Sequence, residues 1–140
     1  MGGNNMPQVY LIISPPAKNF LRQKGRGDQL LCELGNVLVH AVEMVFGIAG
    51  KNDTAFTAVL AEATLHEASI QVEVRYTAGE DEYGLGPFDP TRDEQKLVVN
   101  RIKEVFADWA RTNKMGHCWR TLSVWCKPHY NSYFEMAQRL

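Results

Sequence analysis

Two apolar stripes at helical spacing, each set between strand-forming segments, constrain this chain more than any other feature. Leu30, Leu31, Leu34, Val37, Leu38, Ala41, Val42 and Val45 recur at three- and four-residue intervals, which is the pattern of a helix with one buried face. Leu97, Val98, Ile102, Val105, Phe106 and Trp109 repeat it. A helix with one apolar face needs a surface to cover, and four segments supply it. Gln8 to Ser14 is rich in β-formers, and Ile70, Val72, Val74 and Tyr76 alternate with Gln71, Glu73 and Arg75 between Ser69 and Thr77. Phe56 to Leu65 and Arg120 to Cys126 read as the other two strands. The order is strand, helix, strand, strand, helix, strand. The simplest architecture is an α+β two-layer sandwich: two βαβ units forming a four-stranded sheet, with two helices on one face. Two arrangements share this order. One is the ferredoxin-like split βαβ; the other is a tandem pair of βαβ units related by a pseudo-twofold axis, which leaves the opposite sheet face free for assembly.

Local chemistry sets the expected boundaries. Pro15-Pro16 closes the first strand, because proline cannot continue a ladder. Ala17 to Gly27 then reads as a basic loop carrying Lys18, Arg22, Lys24 and Arg26. Asp28 is the expected N-cap of the first helix, and Gly47 and Gly50 mark its end. Gly35 inside that helix costs about 1 kcal/mol relative to alanine, so a close approach of packed side chains is a reason for it. Asp89-Pro90 opens the second helix. Pro128 is expected to stop the last strand. These boundaries divide the chain into an N-terminal extension (1–6), one domain (7–128) and a C-terminal tail (129–140).

Composition excludes several classes of function. The chain has 140 residues and a net charge of −1, one domain without the basic footprint of a nucleic-acid binder. No uninterrupted apolar run has the length needed to cross a bilayer, and no basic stretch followed by an apolar region opens the chain as a secretory signal would. Cys32, Cys118 and Cys126 lack zinc-type spacing. An odd number of cysteines without a signal segment points to buried thiols and a reducing, cytoplasmic setting. His66 lies near Glu62 and Glu67, without an HExxH pattern or a third ligand at useful spacing. No metal or cofactor is expected.

Met6-Pro7 directly precedes the apolar run Gln8-Val9-Tyr10-Leu11-Ile12-Ile13. A chain starting at Pro7 would carry a free secondary amine at the edge of the core, and such an amine is a base. With Met6 attached, the same nitrogen is an amide, neither basic nor nucleophilic at neutral pH. The alternative role of Pro7 is to open a strand, where its missing N–H costs little.

Three segments together resemble the tautomerase superfamily, the group of macrophage migration inhibitory factor, 4-oxalocrotonate tautomerase and 5-carboxymethyl-2-hydroxymuconate isomerase. They are Met6-Pro7 before an apolar strand; Val72 to Gly79 running into a loop and then Arg92 to Lys96; and Ser123-Val124-Trp125-Cys126 as the last strand. This chain departs from the pattern in the residues ahead of Pro7 and in the stretch from Glu80 to Pro90. The resemblance implies a homotrimer and a tautomerase or isomerase acting on a small 2-oxo or enol carboxylic acid, with Pro7 as general base. It implies a fixed cation for the developing enolate, for which Arg75 is the first candidate. Arg92 is the candidate for the substrate carboxylate, and Tyr130 is a further candidate substrate contact. Two alternatives stand beside it: a non-catalytic oligomeric binding module of the same fold, and a ferredoxin-like ligand-binding domain.

Overall fold

The computed structural model describes residues 7–47, 54–61, 69–78 and 90–130. Strand β1 spans Gln8–Ile13, helix α1 Pro15–Gln23, helix α2 Gly27–Phe46, strand β2 Ala55–Leu60, strand β3 Ile70–Ala78, helix α3 Arg92–Thr112 and strand β4 Leu122–Tyr130, with a 3₁₀ turn at His117–Trp119 before β4. The sheet order is β2-β1-β3-β4. β1 runs parallel to β2 and antiparallel to β3, and β3 runs parallel to β4. Each strand–helix–strand unit therefore joins hydrogen-bonded neighbours. That is the tandem βαβ arrangement, and it sets aside the ferredoxin-like alternative, whose βαβ strands are split by an intervening strand.

Alternation along the strands divides the sheet into two faces. Val9, Leu11 and Ile13 of β1 and Ile70, Val72, Val74 and Tyr76 of β3 are buried. With Leu30, Leu34, Leu38 and Val42 of α2 and Val98, Ile102 and Phe106 of α3, all but Tyr76 belong to one core cluster. Gln8, Tyr10, Glu73 and Arg75 occupy the other face. Helix α2 is long and apolar enough to cross a bilayer by length and composition, yet its leucine stripe is buried in this core.

Several expected boundaries move, among them the start of α3, which lies at Arg92 behind Thr91 rather than at Asp89-Pro90. Residues 15–23 form helix α1 where the sequence suggested a loop. Ser14 is its extended N-cap, and the prolines fall in the first turn, where a missing N–H leaves no intrahelical bond unmade. Helix α2 begins at Gly27 with Asp28 in its first turn, where the carboxylate faces the positive end of the helix dipole. Pro128 lies inside β4, paired with Tyr76, because β4 is an edge strand and one side of its ladder needs no donor. The strand thus continues to Tyr130. Cys32 is exposed and Cys118 and Cys126 are half-buried, so the thiols are less enclosed than expected. Residues Glu62 to Glu67, including His66, lie outside the described residues.

The basic residues of α1 and its turn have structural partners. Lys24 Nζ donates to the Asn113 carbonyl at 2.8 Å, and Arg26 donates to Asn113 Oδ1 at 3.3 Å. Asn113 is the C-cap of α3, so these cations meet the negative end of that helix. Trp119 Nε1 donates to the Ala17 carbonyl at 2.9 Å, tying the last connection to α1. At its other end α3 is closed by a reciprocal capping box between Thr91 and Glu94.

Gly35 meets β2. A Cβ added there would lie 2.7 Å from Phe56 Cδ2, closer than carbon atoms tolerate. Gly35→Ala is expected to lower stability by about 1 kcal/mol, overpacking exceeding the gain in helix propensity. Denaturant midpoints check this, and Phe56→Leu in the same chain should restore most of the loss.

Candidate active site

Pro7 is buried and takes part in the sheet through its carbonyl, which accepts the Ala55 N–H at 3.2 Å. Its place one residue before the Gln8–Arg75 pair and two before buried Val9 sets it on the helix side of the sheet. Several elements converge at this end. Phe46, the last residue of α2, packs edge-on against Tyr76 with ring centroids 5.9 Å apart. β3 and β4 end here with Ala78 paired to Tyr130. The first turns of α3 lie over β4, where Arg92, Gln95, Lys96, Asn100 and Cys126 line a cleft of about 410 Å³. Two cations and the positive end of a 21-residue helix therefore meet at one cleft. Glu43 Oε2 and Thr54 Oγ1, on the last turns of α2 and just ahead of β2, are buried without a hydrogen-bond partner among the described residues.

The backbone thus gathers three of the four anticipated residues, Pro7, Arg92 and Tyr130, at one end of the sheet. Arg75 faces the other way. Its guanidinium carbon lies 4.5 Å from the centre of the Tyr10 ring, and its Nη2 is 2.6 Å from Glu73 Oε2. Lys127 Nζ adds a contact to Glu73 Oε1 at 3.4 Å and lies over Trp125. Arg75 is held on the helix-free face by a charge partner and a ring, and within one chain the sheet separates it from Pro7. Lys96 and Cys126 escaped the sequence reading, because only packing of α3 on β4 brings them together. Arg92 carried a signal, a cation in the first turn of a helix.

Among the described residues, two groups have displaced proton affinities. For Glu73, burial pushes upward, but the hydrogen bonds and charges of Arg75, then Lys127, prevail and hold the carboxyl below its ordinary value of 4.5. Burial pushes the Cys126 thiol up to about 11, which leaves it protonated and a poor nucleophile at neutral pH.

The fold is shared with solved structures. A comparison with family profiles finds no match, nor does one with curated protein sequences. Among solved structures, malonate semialdehyde decarboxylase superposes with a TM-score of 0.55 at 11% identity, over 94% of this chain and 91% of that one. A 5-carboxymethyl-2-hydroxymuconate delta-isomerase gives 0.53 at 11% identity, over 98% and 90%. A 5-carboxymethyl-2-hydroxymuconate isomerase from Deinococcus radiodurans R1 gives 0.50 at 15% identity, over 96% and 92%. The α+β fold of this chain is the tautomerase-superfamily fold that the sequence resemblance implied.

Two measurements follow. Glu73 binds its proton less readily in the folded than in the unfolded state, so its stabilisation is present above about pH 4.5 and is lost as pH falls through the lowered value. The stability difference between the wild type and Glu73→Gln should therefore shrink on acidification from pH 6 to pH 3, as urea titrations would show; a constant gap would contradict the pairing. Alkylation by iodoacetamide at pH 8, followed by mass spectrometry, should modify exposed Cys32 first and Cys126 last.

Proposed function

We propose that this chain is a tautomerase-type isomerase acting on a small 2-oxo or enol carboxylic acid, in a form whose first residue is Pro7. The observation that carries this reading is the convergence of buried Pro7 and the cationic N-terminal cleft of α3 at one end of the sheet. The likeness of fold supports it: the malonate semialdehyde decarboxylase structures include a mutant whose first-position proline is alanine, and another similar structure is an isomerase of a carboxylated substrate.

The chemistry follows from the residues. A free α-amino group titrates near ~8. Burial and neighbouring cations both disfavour its protonated form and lower that value. The Pro7 amine would then take a proton from the carbon next to a carbonyl and return it to another atom of the conjugated system. Arg92 and Lys96 hold the substrate carboxylate, and the helix terminus of α3 favours the negative charge that grows on the carbonyl oxygen. Tyr130 lies at the same end as a further substrate contact. Arg75 faces away in its own chain and enters the chemistry only from a second copy, as in a homotrimer.

A second reading follows from the bond between Met6 and Pro7. An acylated Pro7 is no base, and the same cleft then serves a non-catalytic carboxylate-binding module.

Ketonisation of phenylenolpyruvate separates the readings. A chain beginning at Pro7 is expected to catalyse it, and Pro7→Ala to lower kcat by about 10²–10⁴-fold. Arg92→Gln should mainly raise KM. Equal activity in the chain that retains residues 1–6 would exclude the proline base.

A further inference from the structure

The C-terminal half of α3 builds a second cleft, remote from Pro7. It opens between α3 and the turn into β4, beside Leu122, which pairs with Ile70 at the far end of β3. Its volume is about 420 Å³, within the range of small-molecule sites. Leu122 and Ala107 form its accessible apolar floor; Phe106 and Trp119 also line it but are buried, 2% and 0% exposed. Lys103, Arg111 and Arg120 line it, and among the described residues no carboxylate does. Arg111 pairs with Asp108 in an exposed contact, whereas Lys103 and Arg120 make no ion pair among the described residues. Arg120 Nε donates to the Met115 carbonyl at 3.3 Å. That bond fixes one edge of the guanidinium and leaves its terminal nitrogens for a bidentate acid.

We propose that this cleft binds a planar aromatic carboxylate, its ring against Leu122 and Ala107 and its carboxylate on Arg120, with Lys103 adding charge. Charge complementarity selects the ligand. The apolar floor accepts a ring, and the unpaired cations at its rim disfavour an amine and leave a neutral analogue without a counter-charge. Arg92 and Lys96 belong to the other cleft, so this site stands or falls independently of the isomerase reading.

Calorimetric titration of the full chain with 2-naphthoate at low ionic strength tests it. A saturable site is expected, weakened about tenfold or more by Arg120→Gln and severalfold by Lys103→Gln and by added salt. 2-Naphthalenemethanol, which has the ring without the charge, should bind at least about tenfold more weakly. Amide signals of Ala107, Ala110 and Leu122 should shift on titration, a readout that does not depend on any variant folding. Absence of saturable binding, an affinity indifferent to both Arg120→Gln and Lys103→Gln, or shifts centred on Arg92 to Asn100 would overturn the assignment.

Discussion

The antiparallel pairing of β1 with β3 at the centre of the sheet fixes which side every functional group faces. Gln8 pairs with Arg75, Val9 with Val74 and Tyr10 with Glu73. A slip of one residue would turn Val9, Leu11, Val72 and Val74 out of the core, so burial of those side chains enforces this register. From it follow the two chemically distinct faces. The helix side carries Pro7 and the cleft of Arg92 and Lys96; the open side carries Glu73 with Arg75, Lys127 and their aromatic neighbours. Arg75 and Lys127 on the open face share one carboxylate, Glu73, while the cations in the α3 clefts are, among the described residues, largely unpaired. That contrast separates a structural cluster from sites suited to anionic ligands.

The helices hold this arrangement from both ends. The capping box of Thr91 and Glu94 fixes where α3 begins, and therefore where Arg92 stands relative to the ends of β3 and β4. Lys24 and Arg26 hold its other end at Asn113. The contact of Gly35 with the Phe56 ring brings α2 close to β2, and Phe46 then reaches Tyr76. Apart from the local capping box, these contacts join residues distant in sequence, so the position of the cleft depends on the assembled layers and not on any one loop.

Much of this architecture was legible in the sequence. Both long helices and the alternation of β3 follow from apolar spacing alone, and Gly35 signalled its close packing. Proline misled twice: Pro15-Pro16 end β1 as expected but also start α1 behind Ser14 where a loop was expected, and Pro128 read as a terminator but sits in an edge strand. Both errors arise because the effect of proline depends on which backbone N–H groups have partners, a tertiary property. The site was legible in part. Pro7 and Arg92 carried local signals, and alternation already put Arg75 on the polar side of its strand. That this side is opposite Pro7 required the β1–β3 register, and Lys96 with Cys126 required the packing of α3 on β4. Neither is encoded within a single segment.

Titration of the Pro7 nitrogen tests the account most directly. In a chain that begins at Pro7 and carries ¹⁵N-proline, the ring nitrogen is expected to titrate below the ~8 of an ordinary α-amino group. Its midpoint should rise when Arg92 and Lys96 are both replaced by glutamine, and should not respond to Arg75→Gln in the isolated chain. A midpoint at or above the ordinary value, or one indifferent to loss of the two α3 cations, would contradict the proposal that proline and cations share one site.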